Sequence, residues 1–313
     1  MTQKVATRDA YGDALVNLGK KRDDVVVLDA DLSGSTKTAK FAKVFPERFF
    51  NIGIAEQDMM GTAAGLAIAG KLPFLSTFAV FATGRAWEQI RQSICYPNMN
   101  VKVVASHAGV TVGEDGGSHQ SVEDIAVMRV IPNMTVIVPA DGVETQQAID
   151  AVAEYKGPCY VRVGRNKTPV LFNADYQFKI GKAHVFHEGK DAAIIATGIM
   201  VAEALVARDM LKAEGIDAGV INMSTIKPLD TGAVLSAAKR CGAIVTAEEH
   251  SIIGGLGGAV AETLAESTPV PLVRIGVKDT FGTSGDSDGL LKHYGLSAGD
   301  IAAAVKEVIK KKR

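Results

Sequence analysis

Glu56 is the residue whose chemistry most needs a partner, because it opens a run of small and apolar residues that continues to Gly70. The composition of this run predicts a buried helix. A carboxylate in apolar surroundings costs free energy unless another group compensates it. Ionisable groups in such places are candidates for functional sites, so we expect Glu56 to meet a ligand.

A second set of reactive side chains lies in a polar, glycine-rich loop, residues 106–120. His107 and His119 flank Glu114 and Asp115 in this loop. Two histidines and two carboxylates could bind zinc, although their spacing matches no compact ligand pattern. The same groups could bind the hydroxyls or phosphate of a sugar, and long loops are often functional. A plain polar surface loop is the third interpretation, and the pattern alone does not decide between the three.

Three further motifs favour structural roles. The glycine-rich stretch 254–258 precedes a predicted helix but lacks the register of a dinucleotide-binding motif, so close helix–sheet packing is expected. The preceding segment 248–250, Glu-Glu-His, is more typical of a solvated strand end or a domain contact. Phe78 and Phe81 fit core aromatics, with stacking on a cofactor as the sharper alternative. The sequence contains no nucleophile elbow and no P-loop motif.

The elements that must position these residues alternate between short β-branched runs and helical patterns, which predicts parallel sheets covered by helices. The fold class is therefore α/β, with two doubly wound domains. The periodicity fades between Gly164 and Lys190. We place the domains at 1–166 and 191–313, with a linker over 167–190.

In the first domain, Thr7 is the predicted N-cap of a helix over 7–21. Ligands collect at the carboxyl ends of strands in such sheets, and the polar loop after Asp29 is one such place. The other helices of this domain are predicted at 82–93, 121–130 and 143–155. Its strands are predicted at 24–29, 73–77, 101–105, 135–138 and 159–163. The second domain is predicted to have strands at 193–196, 218–222, 243–247 and 270–275 and a final helix at 297–310.

Composition argues against several classes of protein. The 313 residues carry 34 Lys and Arg against 35 Asp and Glu, a net charge of -1 that provides no basic surface for nucleic acid or an anionic membrane. No apolar run approaches the roughly 20 residues that span a bilayer. The first residues lack the apolar core of a signal peptide, and the three scattered cysteines suit a reducing compartment. We therefore expect a cytoplasmic protein.

Two motifs together resemble transketolase: Gly-Ile-Ala-Glu-Gln-Asp-Met at 53–59 and Gly-Glu-Asp-Gly-Gly-Ser-His-Gln at 113–120. The resemblance covers essentially the whole chain and is to the carboxy-terminal half of that enzyme, as found in its split, two-subunit form. It implies a pyrimidine-binding domain followed by a transketolase C-terminal domain. The implied activity is reversible transfer of a two-carbon ketol group from a ketose phosphate to an aldose phosphate in the pentose phosphate pathway.

By this resemblance the cofactor is thiamine diphosphate, and Glu56 is the catalytic glutamate that shares a proton with N1′ of its aminopyrimidine. Burial favours a protonated carboxyl, which agrees with this role. Phe81 would stack on the pyrimidine, Phe78 would line the same pocket, and Asp31 would lie near the cofactor. Many full-length members of the family have a tyrosine where this chain has Gly84, which leaves that edge of the pocket unexplained.

The resemblance also assigns residues to the sugar substrate. Its terminal phosphate would be bound from four separate parts of the chain, by Arg8, Ser35, His107 and Arg165. Two arginines are well suited to a phosphate. Asp115 and His119 would contact the hydroxyls and carbonyl of the donor ketose, as further catalytic residues.

In this family the diphosphate and its Mg²⁺ or Ca²⁺ are held by a Gly-Asp-Gly motif and a downstream Asn on an amino-terminal domain. This sequence has only a weak imitation of that motif, Gly-Asp-Ser-Asp-Gly at 285–289. We therefore expect no metal ligands in this chain and a cofactor shared with an N-terminal partner subunit, which would hold the metal. The expected assembly is a heterotetramer, with neither chain active alone.

Two other interpretations stay open. A deoxyxylulose phosphate synthase-like subunit, or the beta subunit of a 2-oxo acid dehydrogenase, would share the fold and Glu56, and Gln57 would not distinguish them. A non-catalytic partner subunit is the other. The 114–120 motif and the phosphate-binding set argue for transketolase over both.

Overall fold

The computed structural model describes residues 3–173 and 175–312. These residues form two α/β units, with sheets of seven and five strands, and a separate two-stranded ribbon. Most neighbouring strands are parallel, and helices pack on both faces of each sheet. The predicted α/β class with two doubly wound, mostly parallel sheets is therefore confirmed.

The elements up to residue 162 form most of the first unit. In chain order they are β1 Lys4–Ala6, α1 Thr7–Lys21, β2 Val25–Asp29, α2 Ser33–Thr36, α3 Ala39–Val44, β3 Phe49–Asn51, α4 Glu56–Ile68, β4 Leu72–Ser76, α5 Ala79–Gly84, α6 Trp87–Gln89, β5 Lys102–Ala105, α7 Asp124–Arg129, β6 Thr135–Ile137, α8 Gly142–Glu154 and β7 Cys159–Arg162. Short 3-10 segments occupy Pro46–Arg48 and Val110–Asp115, and a π-helical segment occupies Ile90–Cys95.

The remaining elements form the second unit and its connection to the first. They are β8 Lys167–Pro169, β9 His184–His187, β10 Ala192–Ala196, α9 Met200–Ala213, β11 Ala218–Asn222, β12 Thr225–Lys227, α10 Thr231–Cys241, β13 Ile244–Ser251, α11 Leu256–Ser267, β14 Leu272–Val277, α12 Ser287–His293 and α13 Ala298–Ile309. Strands β8 and β9 lie inside the predicted linker, 167–190. The domain limits themselves, 1–166 and 191–313, stay a prediction.

One strand from the second half of the chain, β12, is part of the first sheet. The first sheet has the order β12-β6-β7-β5-β4-β2-β3 and the second has β14-β13-β10-β11-β9. Strand β12 comes from the second half of the chain and pairs antiparallel with β6, while β9 pairs antiparallel with β11. The sequence pattern predicts neither of these short edge strands, because their pairing is decided by tertiary contacts.

The central strands are buried on both faces, which explains their continuous apolar runs. All five residues of β2 are buried. Val25 and Val27 belong to the core shared with α1 and α8, whereas Val26 and Leu28 belong to the core shared with α4. That second core continues into the other unit through α10 and α11, so the two units share apolar packing.

Helix α1 has the predicted bounds, but Thr7 is not its N-cap, which is Ala6. The Thr7 hydroxyl accepts a hydrogen bond from the backbone N–H of Gly164 at 2.7 Å and thereby joins the start of α1 to the end of β7. The helix predicted over 82–93 is confirmed only in part, because it is not one continuous α-helix. Helices α5 and α6 and the π-helical segment replace it, and apolar periodicity does not reveal such changes in winding.

Helix α4 has one buried and one exposed face, so the prediction of a buried helix is confirmed for one face only. Its buried side is made by Glu56, Met59, Met60, Ala63 and Ala64. On the other side Ile68 is 75% exposed, and a Cβ added at Gly61 or Gly65 would meet no atom within 4 Å. Small and apolar residues occupy both faces, so no polar–apolar period marks the exposed one.

Buried charges join the two units. Arg162 of β7 donates from Nε to Asp124 at 2.8 Å. Its Nη2 donates to the backbone oxygens of Ser121 and Glu249, at 3.3 and 2.9 Å. Burial alone would raise the pKa of Asp124, but Arg162 and other neighbours bring it below its usual value. The carboxylate is therefore charged, and it depends on the guanidinium for compensation.

A second buried carboxylate, Glu144 of α8, joins the same units through neutral donors. Its Oε1 accepts hydrogen bonds from Asn222 and Ser224, both at 2.9 Å, and from the Tyr176 hydroxyl at 2.6 Å. Asn222 and Ser224 belong to the second unit. Burial raises the pKa of Glu144, because no cation offsets the loss of solvent.

The cysteines behave as small apolar groups, as expected. Cys95, Cys159 and Cys241 are all free and buried, and burial raises the pKa of Cys95 to about 12. Within the described ranges, no helix is long and apolar enough to cross a membrane.

Replacing Arg162 with Met should strongly destabilise the protein, because it leaves Asp124 charged, buried and unpaired. We expect a loss of about 3–5 kcal/mol in the free energy of unfolding, measured by urea denaturation. Lys306→Met is the matched control, since it breaks an ion pair with Glu214 in which the two side chains are 40% and 51% exposed. That variant should change stability by less than about 1 kcal/mol. Equal losses in the two variants would contradict a joining role for Arg162.

Candidate active site

The predicted site residues converge at one edge of the first sheet, where its parallel strands end. Asp31, Phe78 and His107 follow the carboxyl ends of β2, β4 and β5. Arg165 follows β7 and Glu56 opens α4 just after β3. This edge is where ligands collect in open α/β sheets. The chain therefore brings residues from five separate segments to one place.

Aromatic rings form the floor of this site. Phe78 stacks on the His107 ring at 3.8 Å between centroids and on Phe81 at 5.9 Å. His119 meets Phe81 edge-on, at 5.6 Å and 74°. Phe78 is buried and Phe81 half-buried, so Phe81 keeps part of its ring available for a ligand. The two phenylalanines are thus site residues as well as core residues.

Glu56 has an ion-pair partner that the sequence interpretation missed. The carboxylate is 4% exposed, and Arg85 Nη1 donates to its Oε1 at 3.0 Å. The Arg85 guanidinium carbon also lies 4.2 Å from the centroid of Phe81. Glu56 is therefore not surrounded by apolar groups alone, as the sequence suggested. The spacing of Phe81 and Arg85, four apart along the chain, is a signal that could have placed a cation above the ring.

His107 is neutral, and its hydrogen bonds fix its tautomer. Burial and the adjacent charges of Arg8 and Arg165 lower the pKa of His107 to about 3. Nε2 lies 3.1 Å from Arg8 Nη1, which can only donate, so Nε2 accepts. Nδ1 then carries the proton and donates to the Ser106 hydroxyl at 2.8 Å. The backbone at His107 has a positive φ of 58°, which turns the ring toward the site.

The predicted phosphate-binding residues divide into two groups. Arg8 Nη1 also donates to the backbone oxygen of Ser35 at 3.0 Å, so Arg8 links Ser35 to His107. Arg165 instead lies 3.2 Å from Asp115 and donates to the backbone oxygen of Val112 at 2.9 Å. Burial lowers the pKa of Arg8, and the positive charge of Arg165 lowers it further, while Asp9 and Asp115 act in the opposite direction.

This pair of arginines is suited to an anion. The Nε atom of Arg8 is buried and has no hydrogen-bond partner among the described residues. Two guanidiniums with donors to spare would gain from a phosphate or a carboxylate between them. Asp31 lies at the exposed rim and accepts from the Asn51 amide at 2.9 Å.

The 106–120 loop is not a polar surface loop, since residues 106–113 are all buried. The second unit holds it in place. Gln120 Nε2 donates to the backbone oxygen of Thr283 at 2.9 Å, and the backbone N–H of Thr111 donates to Glu249 at 2.6 Å. A Cβ added at Gly117 would come within 2.5 Å of the backbone oxygen of Gly282. The loop is therefore positioned by the domain contact that it makes.

Neither a zinc site nor a phosphate cradle is supported by the contacts of the described residues. No group of three His, Cys, Asp or Glu side chains in this part of the chain could hold a metal ion. At the start of α11, the N–H groups of Leu256 and Gly257 donate to Glu248, both at 2.7 Å, so that helix end already binds a carboxylate. Gly257 also lies against Arg274 and Thr246. Close packing by the glycines is confirmed, and Glu248–His250 form a buried domain contact.

The site is an open face rather than an enclosed cavity. Two cavities of about 660 Å³ lie elsewhere, one between α7 and α11 and one beside Phe281, and none of the predicted site residues lines either. Asp31, Arg85 and Asp115 are exposed. The face offers a recess between Phe81 and Glu56, which the Arg85 guanidinium fills, and a basic region at Arg8 and Arg165. It suits a ligand with a planar cationic ring next to an anion.

Comparisons with known proteins agree on one family. The family model described as "Transketolase, pyrimidine binding domain" matches residues 3–170, and "Transketolase, C-terminal domain" matches residues 181–301. A Methanocaldococcus jannaschii protein, named provisionally as a transketolase C-terminal section, is 55% identical over 97% of this chain and 96% of its own length. A 6-deoxy-6-sulfo-D-fructose transketolase subunit of Clostridium sp. (strain MSTE9) is 45% identical over 97% and 95%.

A solved structure is similar throughout the chain. It is titled "Split gene transketolase, inactive beta4 tetramer", and it is 56% identical with a TM-score of 0.93. The similarity covers 99% of this chain and 100% of that one. The likeness therefore extends over the full length of both proteins.

Protonation of His107 should make the protein less stable in acid. The folded pKa of about 3 lies below the unfolded value of about 6.5, so the unfolded chain takes up the proton first. This stability is present above pH 6.5 and is lost as pH falls toward 3. Between pH 7 and pH 5 it amounts to about 2 kcal/mol.

The measurement is urea unfolding at pH 7 and pH 5 of the wild type and His107→Gln. The glutamine variant should lack this part of the pH dependence, and contributions of the buried carboxylates cancel in the comparison. His293→Gln, at an exposed position, is the control and should keep the wild-type slope. If His107→Gln keeps that slope as well, the histidine is not buried in its neutral form.

Proposed function

Because the chain belongs to the transketolase family, we propose that it is the C-terminal subunit of a split, thiamine diphosphate-dependent transketolase. With an N-terminal partner subunit it transfers a two-carbon ketol group reversibly from a ketose phosphate to an aldose phosphate. The observation that carries this proposal is the recess between the buried Glu56 carboxylate and the face of Phe81.

The residues of the recess fit the aminopyrimidine of thiamine diphosphate. Arg85 already places a planar, cationic hydrogen-bond donor there, 3.0 Å from Glu56 and 4.2 Å from the centre of Phe81. A protonated aminopyrimidine has the same three properties. A Cβ added at Gly84 would meet no atom within 4 Å, so the position where many relatives have a tyrosine has room for a bulkier group.

In this proposal each residue of the recess has a defined role toward the cofactor. Thiamine diphosphate, when bound, supplies the carbon that carries the two-carbon unit. Glu56 holds a proton at N1′ of the pyrimidine, and its burial strengthens that hydrogen bond by excluding water. Phe81 and Phe78 bind the flat face of the ring, and Asp31, paired with Asn51, is the further residue that we assign to the cofactor. Glu56 is the only one of these groups that exchanges a proton with the cofactor.

The sugar binds beside this recess. Arg8, Ser35, His107 and Arg165 form the phosphate end of the sugar site. Neutral His107 holds Arg8 at this end by accepting a hydrogen bond from its Nη1, while the two arginines supply the positive charge. Asp115 and His119, on the 106–120 loop, orient the hydroxyls and carbonyl of the donor as catalytic residues. The ion pair of Arg165 with Asp115 would connect the phosphate end to the reacting end.

A partner subunit is needed to complete the site. The described residues provide no cluster for a divalent metal, and the sequence has only a weak imitation of the family's Gly-Asp-Gly motif at 285–289. We therefore assign the diphosphate and its Mg²⁺ or Ca²⁺ to an N-terminal transketolase subunit. The similar split-gene transketolase is described as an inactive beta4 tetramer, which agrees with a subunit that requires a partner. The assembly would be a cytoplasmic heterotetramer, with domain limits at 166 and 191.

For the identity of the sugar substrates, a second proposal also has support. A transketolase subunit named for 6-deoxy-6-sulfo-D-fructose is 45% identical to this chain. A sulfonate is an anionic tripod of oxygens like a phosphate, so Arg8 and Arg165 could bind either. The pentose phosphate pathway is our first proposal, and sulfonated ketoses are the alternative donors to test.

Glu56→Gln should abolish most activity of the assembled enzyme, because an amide cannot exchange the proton at N1′. We expect kcat to fall about 100-fold or more, measured by ketol transfer from xylulose 5-phosphate to ribose 5-phosphate after copurification with the partner. Glu154→Gln, an exposed carboxylate at the other end of the sheet, is the control and should be unaffected. Near-normal rates in Glu56→Gln, or turnover by the wild-type chain without a partner, would overturn the proposal.

Arg165→Ala should raise KM for phosphorylated sugars with little change in kcat, because it removes binding that is equal in the ground and transition states. Loss of a charge-assisted hydrogen bond predicts an increase of about 10- to 100-fold. The same variant assayed with an unphosphorylated donor is the internal control. An equal increase in KM for both donors would show that Arg165 does not bind the phosphate.

A further inference from the structure

Arg85 makes both contacts that the proposed function assigns to the pyrimidine ring. Its Nη1 donates to Glu56 Oε1 at 3.0 Å, and its guanidinium carbon lies 4.2 Å from the centroid of Phe81. The ion pair is asymmetric, because the Glu56 side chain is 5% exposed whereas that of Arg85 is 52% exposed. One partner belongs to the interior of the protein and the other reaches in from the surface.

The guanidinium group is a chemical likeness of a protonated aminopyrimidine. Both are planar and delocalised cations that can stack on an aromatic face. Both present an N–H donor at their edge to a carboxylate. The two groups cannot occupy the recess between Glu56 and Phe81 at the same time.

We propose that Arg85 is an intramolecular placeholder for the cofactor. In the chain without cofactor its side chain occupies the pyrimidine position and keeps Glu56 paired, and it moves out to solvent when thiamine diphosphate binds. This inference rests on the proposed function, because it concerns the same recess. It assigns to Arg85 a positioning role, without contact to the reacting atoms.

The need for a placeholder follows from the burial of Glu56. A buried charge whose partner is removed is strongly unfavourable, and no other ion pair involves Glu56 in the part of the chain that the structure covers. A subunit made before its cofactor arrives would otherwise hold this carboxylate uncompensated. Arg85 provides the compensation and, being half-exposed, can return to water at small cost.

The backbone around Arg85 is fixed, so that only the side chain has to move. The Arg85 N–H donates to the Phe81 oxygen at 3.0 Å, and the Arg85 oxygen accepts from Gln57 Nε2 at 3.0 Å. The preceding Gly84 is exposed and has open space where a Cβ would stand. A long side chain on a fixed backbone, next to open solvent, can swap between two positions without disturbing α4 or α5.

The placeholder predicts opposite effects of one substitution on two properties. Arg85→Met keeps the length of the side chain and removes its charge and its donors. In the isolated chain it should lower the urea midpoint of unfolding, because Glu56 loses its partner. In the complex with the N-terminal subunit it should tighten binding of thiamine diphosphate, because no competing group has to leave.

The first experiment uses the isolated chain and needs no cofactor. Urea midpoints are measured for the wild type, Arg85→Met, Glu56→Gln and the double variant. The loss caused by Arg85→Met should shrink or vanish in the Glu56→Gln background, which isolates the pair. Arg91→Met, at an exposed position nearby, is the matched control and should leave the midpoint unchanged. An undiminished loss in the double variant would overturn the pairing on which the placeholder depends.

The second experiment measures thiamine diphosphate binding, with Mg²⁺, to the copurified complex by isothermal titration calorimetry. If the placeholder position is about ten times more populated than the open one, Arg85→Met should lower the apparent Kd about 10-fold. Arg85→Lys keeps the charge without the planar fork and should give an intermediate Kd. Arg91→Met should bind as the wild type does.

The two proposals fail in different ways. A wild-type complex that does not bind thiamine diphosphate would overturn the proposed function and with it the placeholder. A wild-type complex that binds, with Arg85→Met binding equally or more weakly, would overturn the placeholder alone and leave Arg85 as a ligand or a structural residue. Tighter binding of thiamine diphosphate by Arg85→Met, together with a less stable isolated chain, supports the placeholder. Removing an arginine with a purely structural role would not improve the affinity for the cofactor.

Discussion

The buried ion pair between Arg162 and Asp124 is the contact on which the position of the site depends. Arg162 lies at the end of β7. Its Nη2 donates to the backbone oxygen of Ser121, just after the 106–120 loop, and to that of Glu249 in the other unit. The Glu249 carboxylate in turn binds the backbone of Thr111 in the same loop. Buried charges are stable only when their partners stay in place, so this network holds the 106–120 loop in a single conformation. Asp115 and His119, which we propose to orient the sugar, are therefore held in place with the loop.

The two halves of the site differ in how they satisfy charge. At the proposed phosphate end, Arg8 has a buried Nε without a partner among the described residues, while Arg165 is paired with Asp115. The recess at Glu56 is already neutralised by Arg85. By our proposals, the anion would bind beside an arginine that has a spare donor, whereas the pyrimidine would have to displace the Arg85 cation from Glu56. Binding at the two halves should accordingly respond differently to salt, because only the first involves net attraction.

Sequence patterns were sufficient for the central strands, for α1 and for the convergence of site loops, because these follow from apolar runs and from the geometry of parallel sheets. They failed where tertiary contacts decide. The edge strands β9 and β12 are too short to carry a period, and α4 has apolar residues on its exposed side. The four-residue spacing of Phe81 and Arg85 indicates a cation above the ring, but it does not indicate which carboxylate that flexible side chain pairs with, so the partner of Glu56 was missed.

Strand β12 comes from the second half of the chain but pairs in the first sheet, so the two domains cannot change independently in evolution. With β12 removed, β6 would present unpaired N–H and C=O groups to solvent, an edge that invites pairing with other chains. An exchange of the second domain for that of a relative would have to preserve the register of Thr225 with Ile137 and of Lys227 with Val136. Recombination between the domains is therefore constrained by a sheet that belongs to neither of them alone.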